Sequence, residues 1–213
     1  EKIEAPLSME KGNLETIALD EFINEADYDR LPLKAKKGVQ EAIVLFKFLE
    51  NKKGVSYAPV FATLLGAVDD AAKGYIISTL KDAIPDDPSK RQRFFEPDLS
   101  VLHPRDESFH KRQAVNLRRT LLENDGLMPI GLLKWSFEYA KSPKVPPGGI
   151  FNAIKTNFEA PAKTDLLDRV DEIYSFRNEY IAHQEKELSD KDTARQAMCD
   201  WIEGLKTIWG LAE

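Results

Sequence analysis

Apolar residues recur at helical spacing through most of the chain. Val39, Ile43, Phe46 and Leu49 share one face, which predicts a first helix bracketed by Gly38 and Gly54. A second helix is expected after Ser56. It carries Phe61, Leu64, Leu65 and Val68, has Gly74 as a weak point, continues through Tyr75, Ile76 and Leu80, and stops at Pro85. Residues 85–107 hold Pro85, Pro88, Pro97 and Pro104 and read as a long connection. A third helix is expected from Glu107 to about Glu123, with Ala114, Leu117 and Leu121 in line, ended by Asn124-Asp125-Gly126.

Pro129 to Ala140 reads as a short helix with Leu132, Leu133, Trp135 and Phe137. Residues 142–164 read as a Pro/Gly-rich loop. Thr164 is the expected cap of a helix with Leu166, Val170, Ile173, Arg177 and Ile181 along one face. Ser189 with Asp192 is the expected cap of a final helix with Ala194, Met198, Trp201, Leu205, Ile208 and Trp209. No segment alternates with period two, and no repeat stands at a fixed period. The fold class expected is all-α, an antiparallel helical bundle with long Pro-rich loops. Residues 1–33 read as an acidic connector with one short docked helix over Leu14–Ile23, capped by Asn13, and 34–213 as the helical domain.

Composition narrows this picture. The chain has 213 residues, 42% of them hydrophobic and 31% charged, which is ordinary for a globular domain. No apolar run approaches the ~20 residues of a membrane span, so no membrane partner is expected. A single cysteine, Cys199, allows no intrachain disulfide and no Cys-rich zinc site. That usage suits a reducing compartment, and a cytoplasmic location is the expectation. The chain opens at Glu1 without a secretory leader, which reads as a piece of a longer protein with upstream domains. The net charge of −6 is an end effect: residues 1–30 carry nine acids against three bases, and the remainder is balanced. The acidic total therefore does not exclude nucleic-acid contact elsewhere.

Most catalytic signatures are missing. Gly148-Gly149 lacks the Lys-Ser/Thr of a phosphate-binding loop. The three histidines, His103, His110 and His183, show no metal-ligand spacing, so no metal and no cofactor is expected. One segment stands apart: Phe176-Arg177-Asn178-Glu179-Tyr180-Ile181-Ala182-His183. Arg177 falls on the apolar line of its helix, where a guanidinium is costly unless it is paired or meets an anion. Its planar fork of donors suits phosphate. His183 follows six residues later, which on a straight α-helix leaves the two side chains roughly 120° apart.

This segment resembles the signature of HEPN domains: an Arg, here Arg177, a polar residue after it, here Asn178, and a His four to six residues on, here His183. The resemblance is confined to residues 165–213. It implies an α-helical bundle and, in many members, a metal-independent endoribonuclease that dimerises and pools two motifs in one cleft. By the resemblance, Arg177 would bind the scissile phosphate, His183 would act as base or acid, Asn178 would orient one of them, and RNA would be the partner. It also implies company with helicases, nucleotidyltransferases or defence proteins, and with that a prokaryotic parent. Other members are non-catalytic. The rival expectation is accordingly a C-terminal assembly or nucleic-acid-contacting module of a helicase or restriction-enzyme subunit.

Plainer readings stand beside these. Arg177 can pair with Glu172 or Asp171, and His183 can cap a helix C-terminus. Lys111, Arg112, Arg118 and Arg119, with Lys90, Arg91 and Arg93, are the candidate phosphate-tracking residues. They are equally readable as a solvated face balanced by acids. Phe94 and Phe95 can stack bases or anchor a loop.

Overall fold

The computed structural model describes residues 19–96, 99–100, 102–126, 128–142, 148–158, 164–182 and 186–210. These form nine α-helices, one 3-10 turn and two π-helical turns, with no strand among the described residues. The helices are α1 (Glu25–Arg30), α2 (Leu33–Leu49), α3 (Ala58–Leu80), α4 (Pro88–Phe95), α5 (Pro104–Arg118), α6 (Pro129–Lys141), α7 (Gly149–Phe158), α8 (Thr164–Phe176) and α9 (Lys191–Ile208). The π turns continue α5 over Arg119–Glu123 and α8 over Arg177–Ala182.

The axis of the molecule is α3. Val60, Phe61, Leu64, Ala67, Val68, Ala71, Ala72, Ile76 and Leu80 are all buried. They face α2, α6, α7, α9 and both π turns. A helix that is apolar nearly all round is a core helix, not a surface one. Gly38 lies inside α2, not at its start, and serves contact with α3: a Cβ there would sit 3.1 Å from the Cβ of Ala67. Gly74 does not weaken α3. It makes room for Trp209, whose ring comes within 3.4 Å of where a Cβ would be.

Two stretches whose prolines suggest connections are helical. Pro88 opens α4 and Pro104 opens α5. At the first helical position the missing N–H is no loss and the fixed φ is already right, so a proline there starts a helix. Asp87 caps α4 by accepting from Lys90 N at 2.8 Å, and His103 Nδ1 caps α5 by accepting from Arg105 N at 3.3 Å. The 142–164 stretch contains α7. The cap of α9 is Asp190, not Ser189: its carboxylate accepts from Thr193 N at 2.8 Å. Asn124 adopts the left-handed conformation expected at a helix end.

Of the Leu14–Ile23 helix expected in the connector, residues 14–18 and the cap Asn13 lie outside the described residues. The rest of the acidic segment is docked. Phe22 and Ile23 are buried, Glu21 pairs with Lys47 and Arg195, and Asp27 pairs with Lys206. Two of its acids, Glu21 and Asp27, are thus met by bases of α2 and α9.

Gly149 shows how tightly α7 seats on α4. Its φ is +57°, and a Cβ would lie 2.3 Å from the Phe94 carbonyl oxygen. The obstacle is backbone and cannot rotate away. Gly149→Ala should cost roughly 2–4 kcal/mol from left-handed strain plus overpacking, read as a lowered urea midpoint. An unchanged midpoint contradicts this packing.

Candidate functional site

The motif segment is a π-helical turn. From Arg177 to Ala182 the ladder of α8 widens, and no residue of the turn is fully buried. Wide turns of this kind are rare and recur at functional sites. Phe176 anchors its start by stacking on Phe61 at 4.7 Å and on Tyr180 at 4.6 Å. The return of the chain is anchored as well. Lys186 N donates to Glu179 O at 3.3 Å, and Tyr57 N donates to Leu188 O at 2.8 Å. His183 lies outside the described residues, between these two anchored stretches.

Arg177 is half-buried at the edge of the core, not deep on the apolar stripe its spacing suggests. Its Nη1 donates to Asn178 Oδ1 at 2.8 Å. Neither Asp171 nor Glu172, the partners its sequence position suggests, reaches it, and Glu179 pairs with Lys186 instead. Asp171 is held by Lys134 of α6, and Glu172 by Arg169 at 3.0 Å. Among the described residues no carboxylate lies within ion-pair distance of Arg177. One donor of its fork is used and the others are uncommitted. Arg177 is thus hydrogen-bonded to its sequence neighbour Asn178.

The charge closest in effect was not singled out by the sequence. Asp69 lies half-buried on α3 and accepts from Ile130 N at 3.1 Å. It thereby caps α6, whose own cap residue, Met128, is in the left-handed region and offers no side chain. A carboxylate at a helix N-terminus is favoured by the dipole. Burial nevertheless pushes the Asp69 pKa up, against the lowering by the Ile130 amide and by the Arg177 guanidinium. Tyr174 completes the junction: a Cβ on Gly131 would lie 3.0 Å from its ring. The one available signal for Asp69 was an acid pair, Asp69-Asp70, set between apolar residues of a largely buried helix.

The other candidates separate by what already holds them. Arg91 is committed to the backbone, donating to Pro85 O at 2.9 Å and Asp86 O at 2.8 Å. Arg119 pairs with Asp125, and Lys111 with Glu107. Arg93 and Arg118 are exposed, and Arg112 lies over the Phe109 ring at 5.9 Å. Phe95 is buried and packs edge-on against Phe94 at 5.0 Å, so this pair anchors α4. His110 donates to or accepts from nothing beyond its own helix: its Nδ1 sits 2.7 Å from Asp106 O, and its ring packs on Tyr139 and Phe151. Burial raises the Cys199 thiol pKa, as for an inert thiol. A groove of about 210 Å³ runs between α8 and α9 over Phe176 and Trp201.

Among the described residues no cluster of His, Cys, Asp or Glu could hold a metal ion, and no helix is long and apolar enough to cross a membrane. No protein-family model matches the chain, and no curated protein or solved structure does so either.

Asp69 makes a pH prediction. An acid whose pKa is raised in the folded state holds its proton more tightly there than in the unfolded chain. Its contribution is most favourable below its ordinary range, about pH 4, and is lost as pH rises through the raised folded value. Asp69→Asn keeps an oxygen for Ile130 N and removes the half-buried charge. The variant should unfold at higher urea than the parent at pH 7.5, with the gap closing toward pH 4. A variant less stable at pH 7.5 contradicts the assignment.

Proposed function

We propose that the chain is a HEPN-like helical domain whose motif turn carries metal-independent RNA cleavage. The observation that carries this reading is Arg177. It is half-buried, it has no carboxylate at ion-pair distance among the described residues, and it is held by Asn178 with most of its donors free. A cation without an ion-pair partner at the edge of a core is the arrangement expected of a site that meets an anion. Its place on a π turn and its resemblance to the Arg-polar-His signature point the same way.

In this reading Arg177 binds the scissile phosphate and stabilises the charge that grows on the phosphorane. Asn178 fixes the fork. His183 takes the proton of the 2′-hydroxyl, a role an imidazole can play near neutral pH. The 2′ oxygen then bonds to phosphorus while the bond to the 5′ oxygen breaks, and that oxygen leaves protonated. The products are a 2′,3′-cyclic phosphate and a 5′-hydroxyl. Two copies that pooled their motifs would supply the second acid, so a homodimer belongs to this reading. So do a cytoplasmic setting and attachment to upstream domains of a nucleic-acid-processing or defence protein.

The purified chain should cleave single-stranded RNA in excess EDTA and leave cyclic-phosphate ends. Arg177→Ala and His183→Ala should each slow cleavage at least ~100-fold, with the circular-dichroism spectrum unchanged. Cleavage abolished by EDTA, or retained in both variants, contradicts the reading. A folded chain that binds RNA without cutting it would instead be the non-catalytic nucleic-acid-contacting module.

A further inference from the structure

The solvent face of α5 carries a pattern that its packing does not use. With 3.6 residues per turn, residues seven apart lie on one line. Lys111 and Arg118 form one such row, and Arg112 and Arg119 form another. Val115 and Leu122 lie between the rows and are 56% and 42% exposed, which is more than a core-facing role allows. The opposite side of the helix, with Ala114 and Leu117, is buried. Helix α4 packs beside α5 and adds the exposed Lys90 and Arg93.

The cations divide into two sets. Arg91, Lys111 and Arg119 already have partners: the Pro85 and Asp86 carbonyls, Glu107 and Asp125. Lys90, Arg93, Arg112 and Arg118 are exposed and have no carboxylate within ion-pair distance among the described residues. Such unpaired arginines can take phosphate oxygens without breaking an existing contact. Phe109, 39% exposed beneath Arg112, adds a ring face of the kind on which bases stack.

The pattern also runs toward Arg177. The π turn that ends α5 packs on α3, where Lys73 Nζ donates to Asn124 O. One turn earlier on α3, about 6 Å along its axis, Asp69 takes Ile130 N, and Gly131 beside it packs on the ring of Tyr174, three residues before Arg177. The chain from Arg119 to Gly131 thus connects the end of the cationic face to the motif turn.

We propose that the α5 face, with the near end of α4, is a phosphate track for single-stranded RNA that leads to Arg177; the proposal rests on the RNA reading of the motif. The apolar strip between the rows is two aliphatic side chains interrupted by Ser108, too little to hold the helix in a bilayer, whereas phosphate binding needs only the cations.

The test is fluorescence anisotropy of the full chain with a 2′-O-methyl 20-mer, which lacks the attacking hydroxyl and cannot be cut. Binding is followed over a series of salt concentrations. The parent should bind. Arg112→Gln with Arg118→Gln should weaken affinity about tenfold. It should also flatten the logarithmic salt dependence by about 1.4, since each neutralised single-strand phosphate accounts for ~0.7 of the slope. Lys53→Gln, an exposed cation outside α4 and α5, should leave both unchanged. The proposal is overturned by a parent that does not bind. It is also overturned by a double variant with the parent's affinity and slope, or by cations needed for phosphatidylserine vesicles and not for the oligonucleotide. Binding of an uncleavable strand is independent of cleavage, so a track that binds beside a motif that does not cut would sink the nuclease reading alone.

Discussion

The burial of α3 constrains everything else. A helix that contributes nine buried residues cannot shift without opening the core, so whatever is fixed to it is fixed to the whole molecule. Both π turns pack on it, and so do α2, α6, α7 and α9. The motif turn is therefore not a tip of the structure. It is pinned to the axis through Phe176 on Phe61. The segment that follows the motif is pinned as well, by the hydrogen bond from Tyr57 N to Leu188 O at the foot of α3.

Asp69 carries the tension in this arrangement. An apolar helix has no intrinsic use for an acid, and burial disfavours its charge. Three groups offset that cost in part: the first free amide of α6, the dipole behind it, and the guanidinium of Arg177. The same carboxylate thus closes the junction of three elements and sets the electrostatic surroundings of the motif. It does so without reaching ion-pair distance, and the Arg177 fork is steadied by its neighbour Asn178 instead. Preorganisation by a neutral amide leaves the cation its full charge for an incoming anion.

The sequence is legible where periodicity decides. Val39, Ile43 and Phe46 of α2, the buried stripe of α3, and Met198, Trp201 and Leu205 of α9 are buried as their spacing predicts. It misleads where one residue type has two uses. Pro88 and Pro104 read as loop punctuation because proline breaks helices, yet at the first position it begins them. Gly38 reads as a helix boundary, yet it marks where α2 and α3 approach closely, as Gly204 does for α9 and α8, where a Cβ would lie 2.6 Å from Ile173 Cδ1. At the site, Arg177 and Asn178 were visible from the motif alone. Asp69 was not, because its role depends on which helix end folds over it, a long-range fact that no local window contains. The π turn was hidden for a similar reason: an α-helical wheel places Arg177 on the buried line, and only the widened ladder brings it to the edge.

The central claim is that Arg177 is held ready for a phosphate. Its most direct test is the Nε–Hε resonance of Arg177 in nitrogen-15-labelled full-length chain, assigned through Arg177→Lys and titrated with a 2′-deoxy trinucleotide. A guanidinium poised for phosphate predicts a saturable shift of that resonance, abolished when the phosphates are replaced by neutral methylphosphonates. A resonance that stays in place while those of other arginines move would contradict it.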